Sequence, residues 1–199
     1  MITLDKLEDY ALRHDIPIMQ KEGITYLINE LNKHHAHSVL EIGSAIGYSG
    51  MMMALNTKGL LVESMERDDL RYQQALDNIH KYHLTDRIHL IHADALEYDK
   101  RLLKFAPYDC LFIDGAKAQY RKFFEKYIDL LKEDGFVLAD NLDFHGMIFD
   151  IEHIKNRNTR ALVRKIKKFK DWIFNHDEYQ AHYIELGDGL CLITRKDKK

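Results

Sequence analysis

The 199-residue sequence contains only two cysteines, two prolines and no long apolar segment. Cys110 and Cys191 lie in separate apolar strand-like segments, so we expect reduced core residues and not a disulfide or a metal site. No segment approaches the length that crosses a bilayer, and the N-terminus lacks the apolar part of a signal peptide. These absences predict a cytoplasmic protein. The length and the 46% hydrophobic content suffice for one domain, which we place at residues 1–199.

The sequence also has little net charge, −3 overall, but its positive charges are unevenly placed. Residues 155–170 carry eight basic side chains and no acidic one. The basic residues are Lys155, Arg157, Arg160, Arg164, Lys165, Lys167, Lys168 and Lys170. Such a segment attracts phosphate groups, although most charge runs are solvated helix faces. It therefore predicts either a polyanionic partner or an ordinary solvated surface.

Alternation of apolar strand-like segments with helical periodicity predicts an α/β fold with a doubly wound sheet. The predicted strands cover residues 37–43, 60–66, 87–92, 108–114, 135–139, 179–186 and 190–194. The predicted helices cover residues 4–14, 20–33, 47–56, 68–83, 117–131 and 155–174. The last two strands flank a glycine-rich turn and predict a C-terminal antiparallel hairpin. We therefore expect five parallel strands extended by two antiparallel ones, a seven-stranded sheet.

The first strand ends in a glycine turn that predicts a ligand-binding loop. Glu41, Gly43 and Gly47 follow the spacing E-x-G-x-x-x-G, which differs from the G-x-G-x-x-G of dinucleotide sites. Glycine lets a ligand approach the backbone, and the following helix presents free N–H groups. The acid beside the turn suits a ligand with an ammonium and a sulfonium, such as S-adenosylmethionine. A strand–turn–helix with incidental glycines is the alternative.

Acids also follow the second and third strands, at the sheet edge where ligands of open α/β folds bind. Glu66 could accept hydrogen bonds from a ribose diol, or could be an ordinary strand-end acid. Asp94, followed by Ala95, could bind an adenine amino group or cap a helix. The sequence thus predicts a nucleoside-binding surface along this edge.

The fourth and fifth strands end in a second group of polar side chains. Asp114, Asp140 and Asn141 would supply three oxygen ligands, a set that suits a hard cation such as Mg²⁺. Each acid alone could equally be a cap or loop residue. Lys117 follows closely and could act as a base beside a bound cation, or could be a solvated lysine.

Four segments of the chain occur together as a specific set. They are Leu40 to Ser49 with the glycine turn, Phe112 to Tyr120 with Asp114 and Lys117, the pair Asp140-Asn141, and Gly187-Asp188-Gly189-Leu190. This set resembles the metal-dependent O-methyltransferases of the catechol and caffeoyl-CoA type, over about residues 7–195. Three further segments are similar to the bacterial tRNA 5-hydroxyuridine methyltransferases of that group. They are Ile16-Pro17-Ile18-Met19, Ala118-Gln119-Tyr120 and the Asn175-His176 stretch that ends at Tyr179.

The resemblance implies a Rossmann-like class I methyltransferase fold, a homodimer and an assigned site. The implied S-adenosylmethionine pocket contains Met19, Ser49, Glu66, Asp94 and Asp114, to which the motifs above add Glu41, Gly43 and Ala95. The implied Mg²⁺ ligands are Asp114, Asp140 and Asn141, and the catalytic residues are Lys117 and Asp114. Methyl transfer would pass in line from the sulfonium to a hydroxyl oxygen whose pKa the metal lowers.

These expectations predict methylation of 5-hydroxyuridine at the wobble position of the tRNA anticodon loop. Catechol and 5-hydroxyuridine both offer two adjacent oxygens to a metal, so the basic helix is what favours tRNA as the partner. Phe144, Phe149 and Trp172 could stack an extruded base. The alternatives are a catechol-like small-molecule O-methyltransferase and a non-catalytic RNA- or nucleotide-binding domain.

Overall fold

The computed structural model describes residues 1–197 as a seven-stranded sheet with helices on both faces. The strands are β1 Ser38–Ile42, β2 Leu61–Glu66, β3 Ile88–His92, β4 Tyr108–Ile113, β5 Leu131–Ala139, β6 Tyr179–Ile184 and β7 Leu190–Arg195. The helices are α1 Asp5–Arg13, α2 Lys21–Lys33, α3 Tyr48–Asn56, α4 Asp69–Lys81, α5 Tyr120–Tyr127 and α6 Arg157–Phe174. The predicted domain of residues 1–199 includes Lys198 and Lys199, which lie outside the described residues.

The strand order is β3-β2-β1-β4-β5-β7-β6. Strands β1 to β5 pair in parallel, whereas β7 runs antiparallel to β5 and β6 antiparallel to β7. The predicted doubly wound sheet with a C-terminal antiparallel hairpin is thus confirmed. Because the chain reverses its direction of winding between β1 and β4, a crevice opens at their carboxyl ends.

The two faces of the sheet carry separate hydrophobic clusters, and alternate residues of β4 show this division. Cys110 and Phe112 pack into the cluster under α2 and α3, whereas Leu111 and Ile113 pack into the cluster under α5 and α6. Burial on both faces explains why this strand is apolar except at Asp109. Cys191 of β7 is also buried, and both cysteines are free, as predicted.

Two elements differ from the predicted ones by more than two residues. The predicted helix 117–131 divides into the 3₁₀ turn Lys117–Gln119, helix α5 and the 3₁₀ turn Ile128–Leu130. Strand β5 begins at Leu131 and not at residue 135, because Leu131 pairs with Tyr108 before an irregularity in register. A Cβ at Gly135 would lie 3.0 Å from the backbone oxygen of Asp109, so the glycine marks this close approach and not the strand start.

Helix α6 directs its basic residues away from the core. Its N-terminus is capped by Asn156, whose side-chain oxygen accepts hydrogen bonds from the backbone N–H of residues 158 and 159. The buried side chains are Val163, Ile166, Phe169 and Ile173, which share one stripe of the helix. The intervening basic residues therefore cover the remaining faces. Within residues 1–197, none of the helices combines the length and the apolar character that crossing a bilayer requires.

Candidate active site

The glycine turn after β1 brings the ends of two strands into contact. Gly43 has φ +94°, and a Cβ there would lie 2.8 Å from the backbone oxygen of Asp114. Any larger residue would push β1 and the segment after β4 apart. Gly47, at φ +82°, begins helix α3. Glycine is therefore required at Gly43 by both conformation and space.

A cavity of about 640 Å³ lies beside this turn, at the carboxyl ends of the parallel strands. It brings together most of the predicted site. The predicted residues that line it are Met19, Gly43, Ser49, Glu66, Asp94, Ala95, Asp114, Lys117, Asp140 and Asn141. The segments after β1, β2 and β3 and the residues before α2 form one part of the wall. The segments after β4 and β5 form another.

Glu41 does not take the position that we expected. Its side chain is fully buried, and its carboxylate accepts hydrogen bonds from the hydroxyls of Ser49 and Ser64. It is absent from the cavity lining, because its place in the middle of the sheet directs it beneath the turn. Burial raises the pKa of Glu41 to about 7. Within this structure Glu41 supports the loop and does not face the ligand space.

The two acids on the nucleoside side are held by backbone groups. Glu66 accepts hydrogen bonds from the N–H groups of Ala45 at 2.8 Å and of Arg67 and Asp68 at 2.9 Å each. The carboxylate is thereby fixed at the cavity wall. Asp94 accepts a hydrogen bond from the N–H of residue 96 at 2.8 Å. Residues 95–97 form a turn, so Asp94 does not have the helix-capping role that we considered for it.

Asp114, which is half-buried, and Asp140, which is buried, lie at the second group of strand ends. Burial and the neighbouring Asp140 raise the pKa of Asp114 well above its usual range, and burial also raises the pKa of Asp140. The backbone N–H of Asn141 donates to Asp140 Oδ1 at 2.6 Å. The Lys117 ammonium donates to Asn141 Oδ1 and favours the ionised form of both acids.

This arrangement fits a bound cation. The neighbouring carboxyl groups of Asp114 and Asp140 repel each other when both are ionised, and the Lys117 ammonium already contacts the amide oxygen beside them. The donors are two carboxylates and one amide oxygen, all hard ligands. Among the described residues no cluster of three His, Cys, Asp or Glu side chains could hold a metal ion. An ion bound by Asp114, Asp140 and Asn141 would therefore have only two carboxylates and one amide as protein ligands, and solvent or substrate would supply its other oxygens.

Two residues of the cavity wall have no role in the sequence-based prediction. Ser44 and Asp188 line the cavity, and Ser44 Oγ and Asp188 Oδ2 are buried without a hydrogen-bond partner. Ser44 lies inside the glycine turn, and Asp188 lies between the two glycines of the β6–β7 turn. An acid fixed between two glycines was the available signal. We used that segment as a hairpin turn and as part of the family resemblance, but we gave Asp188 no role of its own.

The aromatic residues proposed for base stacking have different environments. Phe144 lines the cavity, and Phe149 is 72% exposed. Trp172 packs edge-on against Phe124 and lies under the Arg121 guanidinium, 4.6 Å from the ring centroid. Trp172 is therefore occupied by the protein itself, which leaves Phe144 as the best-placed aromatic residue.

A basic groove of about 330 Å³ runs along α6. It is lined by Arg157, Arg160, Ala161, Arg164, Lys165 and Lys168. Leu162 of the same helix lines the large cavity, so the basic groove and the cavity share one helix. Lys167 is not part of the groove and pairs with Asp171 at 3.1 Å.

Comparisons with known proteins agree with this geometry. The sequence model of the O-methyltransferase family matches residues 2–196. Tapetum-specific methyltransferase 1 of Arabidopsis thaliana is 27% identical over 184 residues, which cover 90% of this chain and 77% of that protein. A catechol O-methyltransferase of Niastella koreensis is 29% identical over 170 residues, covering 81% and 74%.

A solved structure is similar along nearly the whole chain. It is a Staphylococcus aureus protein provisionally named a caffeoyl-CoA O-methyltransferase, with 32% identity and a TM-score of 0.92. The match covers 96% of this chain and 91% of that one.

Proposed function

The chain belongs to the O-methyltransferase family, in its caffeoyl-CoA and catechol group, and on this premise we propose that it methylates 5-hydroxyuridine in tRNA with the help of Mg²⁺. Its methyl donor, as a member of this family, is S-adenosylmethionine. Family membership also sets aside the alternative of a non-catalytic RNA-binding domain. The tRNA acceptor and the metal are the parts that we propose.

The acceptor hydroxyl would be activated beside Asp114, Asp140 and Asn141. These side chains would hold Mg²⁺, which would lower the pKa of the acceptor hydroxyl. Lys117 Nζ would then accept the hydroxyl proton. The oxygen attacks the methyl carbon in line with the carbon–sulfur bond, whose electron pair leaves with S-adenosylhomocysteine.

The basic groove on α6 is the observation that supports tRNA. Five cationic side chains line it, and Leu162 places the same helix against the cavity. A phosphate backbone along α6 would bring an extruded base to the cavity mouth beside Phe144. Such contacts predict binding that weakens steeply as salt rises.

A catechol-like phenol is the second candidate acceptor. It offers a metal the same two adjacent oxygens, and one relative is named a catechol O-methyltransferase. The test compares methyl transfer to tRNA that carries unmethylated 5-hydroxyuridine with transfer to catechol. We expect transfer to the tRNA, lost with EDTA and restored with Mg²⁺. Activity on catechol alone would reject the tRNA acceptor.

The groove is tested by replacing Arg160, Lys165 and Lys168 together with glutamine. We expect the KM for tRNA to rise about tenfold or more while transfer to catechol is unchanged, because the cavity itself is intact. Lys167→Gln is the matched control, since Lys167 lies on α6 but outside the groove. An unchanged KM in the triple variant at physiological salt would remove α6 from the proposal.

Two further predictions accompany this proposal. A cytoplasmic location is consistent with a tRNA acceptor. The homodimer stays a prediction, because the structure holds one chain, and sedimentation analysis would test it.

A further inference from the structure

Asp188 lines the cavity, and only one of its two carboxylate oxygens makes a hydrogen bond within residues 1–197. The residue is 7% exposed. Its Oδ1 accepts a hydrogen bond from the backbone N–H of His145, and its backbone oxygen accepts one from the N–H of Asp143. Asp188 therefore fastens the loop after β5 to the β6–β7 turn.

The other oxygen, Asp188 Oδ2, has no hydrogen-bond partner within residues 1–197. The ring atom His145 Nδ1 lies 3.7 Å from this oxygen, beyond hydrogen-bond reach. A buried carboxylate oxygen without a donor carries a desolvation cost, and such groups in folded proteins usually await a ligand or water. Because Asp188 lines the cavity, the missing donor can come from a molecule inside it.

The position of Asp188 indicates which bound molecule would supply this hydrogen-bond donor. Its negative charge contributes to the raised pKa of Asp140, and its partner His145 follows Asn141 in the same loop. Glu66 and Asp94, by contrast, lie after β2 and β3. Asp188 is thus beside the proposed cation ligands, where the methyl acceptor would bind.

We propose that Asp188 Oδ2 accepts a hydrogen bond from an N–H or O–H group of the acceptor, next to the two oxygens that the cation would hold. This inference rests on the proposed function, because it concerns the acceptor in the same cavity. It defines the acceptor as a ring with three adjacent polar positions, of which the third is a donor.

The third donor distinguishes acceptor rings. In 5-hydroxyuracil the ring N3–H follows O5 and O4 along one edge, so it would meet Asp188. A cytosine ring presents an unprotonated N3 there, and two acceptors would face each other. Among simple phenols, pyrogallol has a third hydroxyl in this place and catechol does not.

The test uses these two phenols and the variant Asp188→Asn. The amide keeps the shape of the side chain and an oxygen for the His145 N–H, but it replaces Oδ2 with an N–H donor. Calorimetry measures the affinity of each phenol, under anaerobic conditions, for protein loaded with S-adenosylhomocysteine and Mg²⁺. We expect the wild-type protein to bind pyrogallol about tenfold more tightly than catechol, and the variant to lose this preference.

Catechol and S-adenosylhomocysteine should bind both proteins alike, which shows that the variant is folded and its donor site intact. Equal affinity of the wild-type protein for the two phenols would overturn the inference, even if the variant does not fold. An unchanged preference for pyrogallol in the variant would also overturn it. An equal loss of affinity for both phenols would do the same, because it would show that Asp188 acts only by holding the loop. If the wild-type protein shows the preference but transfers no methyl group to tRNA, the proposed function fails and the Asp188 contact stands.

Discussion

The hydroxyl of Ser49 donates a hydrogen bond to the carboxylate of Glu41, which ties the first turn of α3 to the end of β1. Ser64 on β2 donates to the other carboxylate oxygen, so one buried acid joins two strands and a helix. A Cβ at Gly50 would lie 3.0 Å from Glu41 Oε2, which shows how closely α3 packs on this group. The glycine loop is therefore supported from below by a side chain that does not line the cavity.

Replacing Glu41 with glutamine should change how stability depends on pH. Burial raises the pKa of Glu41 from 4.5 to about 7, so folding favours the protonated acid. This contribution to stability is fully present below pH 4.5 and is lost as pH rises through 7. At about 1.4 kcal/mol per pKa unit, the wild-type protein should lose roughly 3 kcal/mol relative to Glu41→Gln between pH 4.5 and 8.

Urea unfolding at several pH values measures this difference. The glutamine retains both contacts, since a serine hydroxyl can donate to its oxygen or accept from its amide. Glu22→Gln on the exposed start of α2 is the control and should follow the wild-type curve. Parallel curves for wild type and Glu41→Gln would show that Glu41 is not buried as a neutral acid.

The neighbouring acids Asp114 and Asp140 predict opposite effects on stability and activity. Asp140→Asn removes one of two neighbouring negative charges, so without a divalent ion the variant should melt at or above the wild-type temperature. Mg²⁺ should raise the melting temperature of the wild-type protein only, because binding to the folded state stabilises it. Methyl transfer should fall about a hundredfold, roughly 3 kcal/mol in the barrier.

Differential scanning fluorimetry with EDTA or Mg²⁺, together with a transfer assay, checks both parts. Asp134→Asn, at an exposed position of β5, should behave as wild type. A large fall in melting temperature for Asp140→Asn without metal would contradict the prediction, because it would mean that the carboxylate stabilises the fold. A rise in the melting temperature of this variant on adding Mg²⁺ would show that the ion binds elsewhere.

Substitutions at two glycines distinguish the effect of a positive φ on stability from the effect of steric contact with a new Cβ. Gly43 and Gly59 both have positive φ, but only at Gly43 would a Cβ meet backbone, 2.8 Å from the oxygen of Asp114. At Gly59 nothing lies within 4 Å. Gly59→Ala should therefore lower the free energy of unfolding by about 1–2 kcal/mol, the usual penalty of a left-handed alanine. Gly43→Ala should lower it clearly more, as measured by urea unfolding, and should abolish S-adenosylmethionine binding, as measured by calorimetry. Equal costs would show that β1 and Asp114 separate easily.

The central strands β1 and β4 were predictable because they are buried on both faces, which makes them bounded and largely apolar segments. The doubly wound sheet and the antiparallel hairpin followed from alternation and from the glycine-flanked turn. The start of β5 was not predictable, since the local sequence at Gly135 favours a strand boundary. Only the contact with Asp109 on the neighbouring strand shows that the glycine lies inside the strand.

The site was predictable to the extent that parallel strands end at one edge. That rule places Glu66 and Asp114 in the cavity wall. It fails for Glu41, because it does not say whether a side chain near a strand end points into the crevice or beneath it. It also missed Asp188, whose turn follows an antiparallel strand and reaches the cavity only because β7 pairs with β5.

A lysine of α5 fixes the loop that carries Asp94 and Ala95. Lys126 Nζ donates to the backbone oxygens of Ala95 at 2.9 Å and of Leu96 and Tyr98 at 2.7 Å each. Partial burial lowers the pKa of Lys126. Lys126→Met should leave the Leu96 and Tyr98 oxygens without the lysine donor and the Ala95 oxygen with the Tyr127 hydroxyl alone, so the loop should lose its shape. We expect the affinity for S-adenosylhomocysteine to fall about tenfold, with catechol affinity unchanged.

Chemical rescue distinguishes this positioning role from a general loss of stability. Three carbonyl oxygens that converge on one ammonium should also accept a small amine cation, so methylammonium should restore much of the affinity for S-adenosylhomocysteine in Lys126→Met. Lys122→Met, an exposed position on the same helix, should show neither the loss nor the rescue. An affinity in Lys126→Met equal to that of Lys122→Met would mean that Tyr127, whose hydroxyl also donates to the Ala95 oxygen, holds the loop without the lysine.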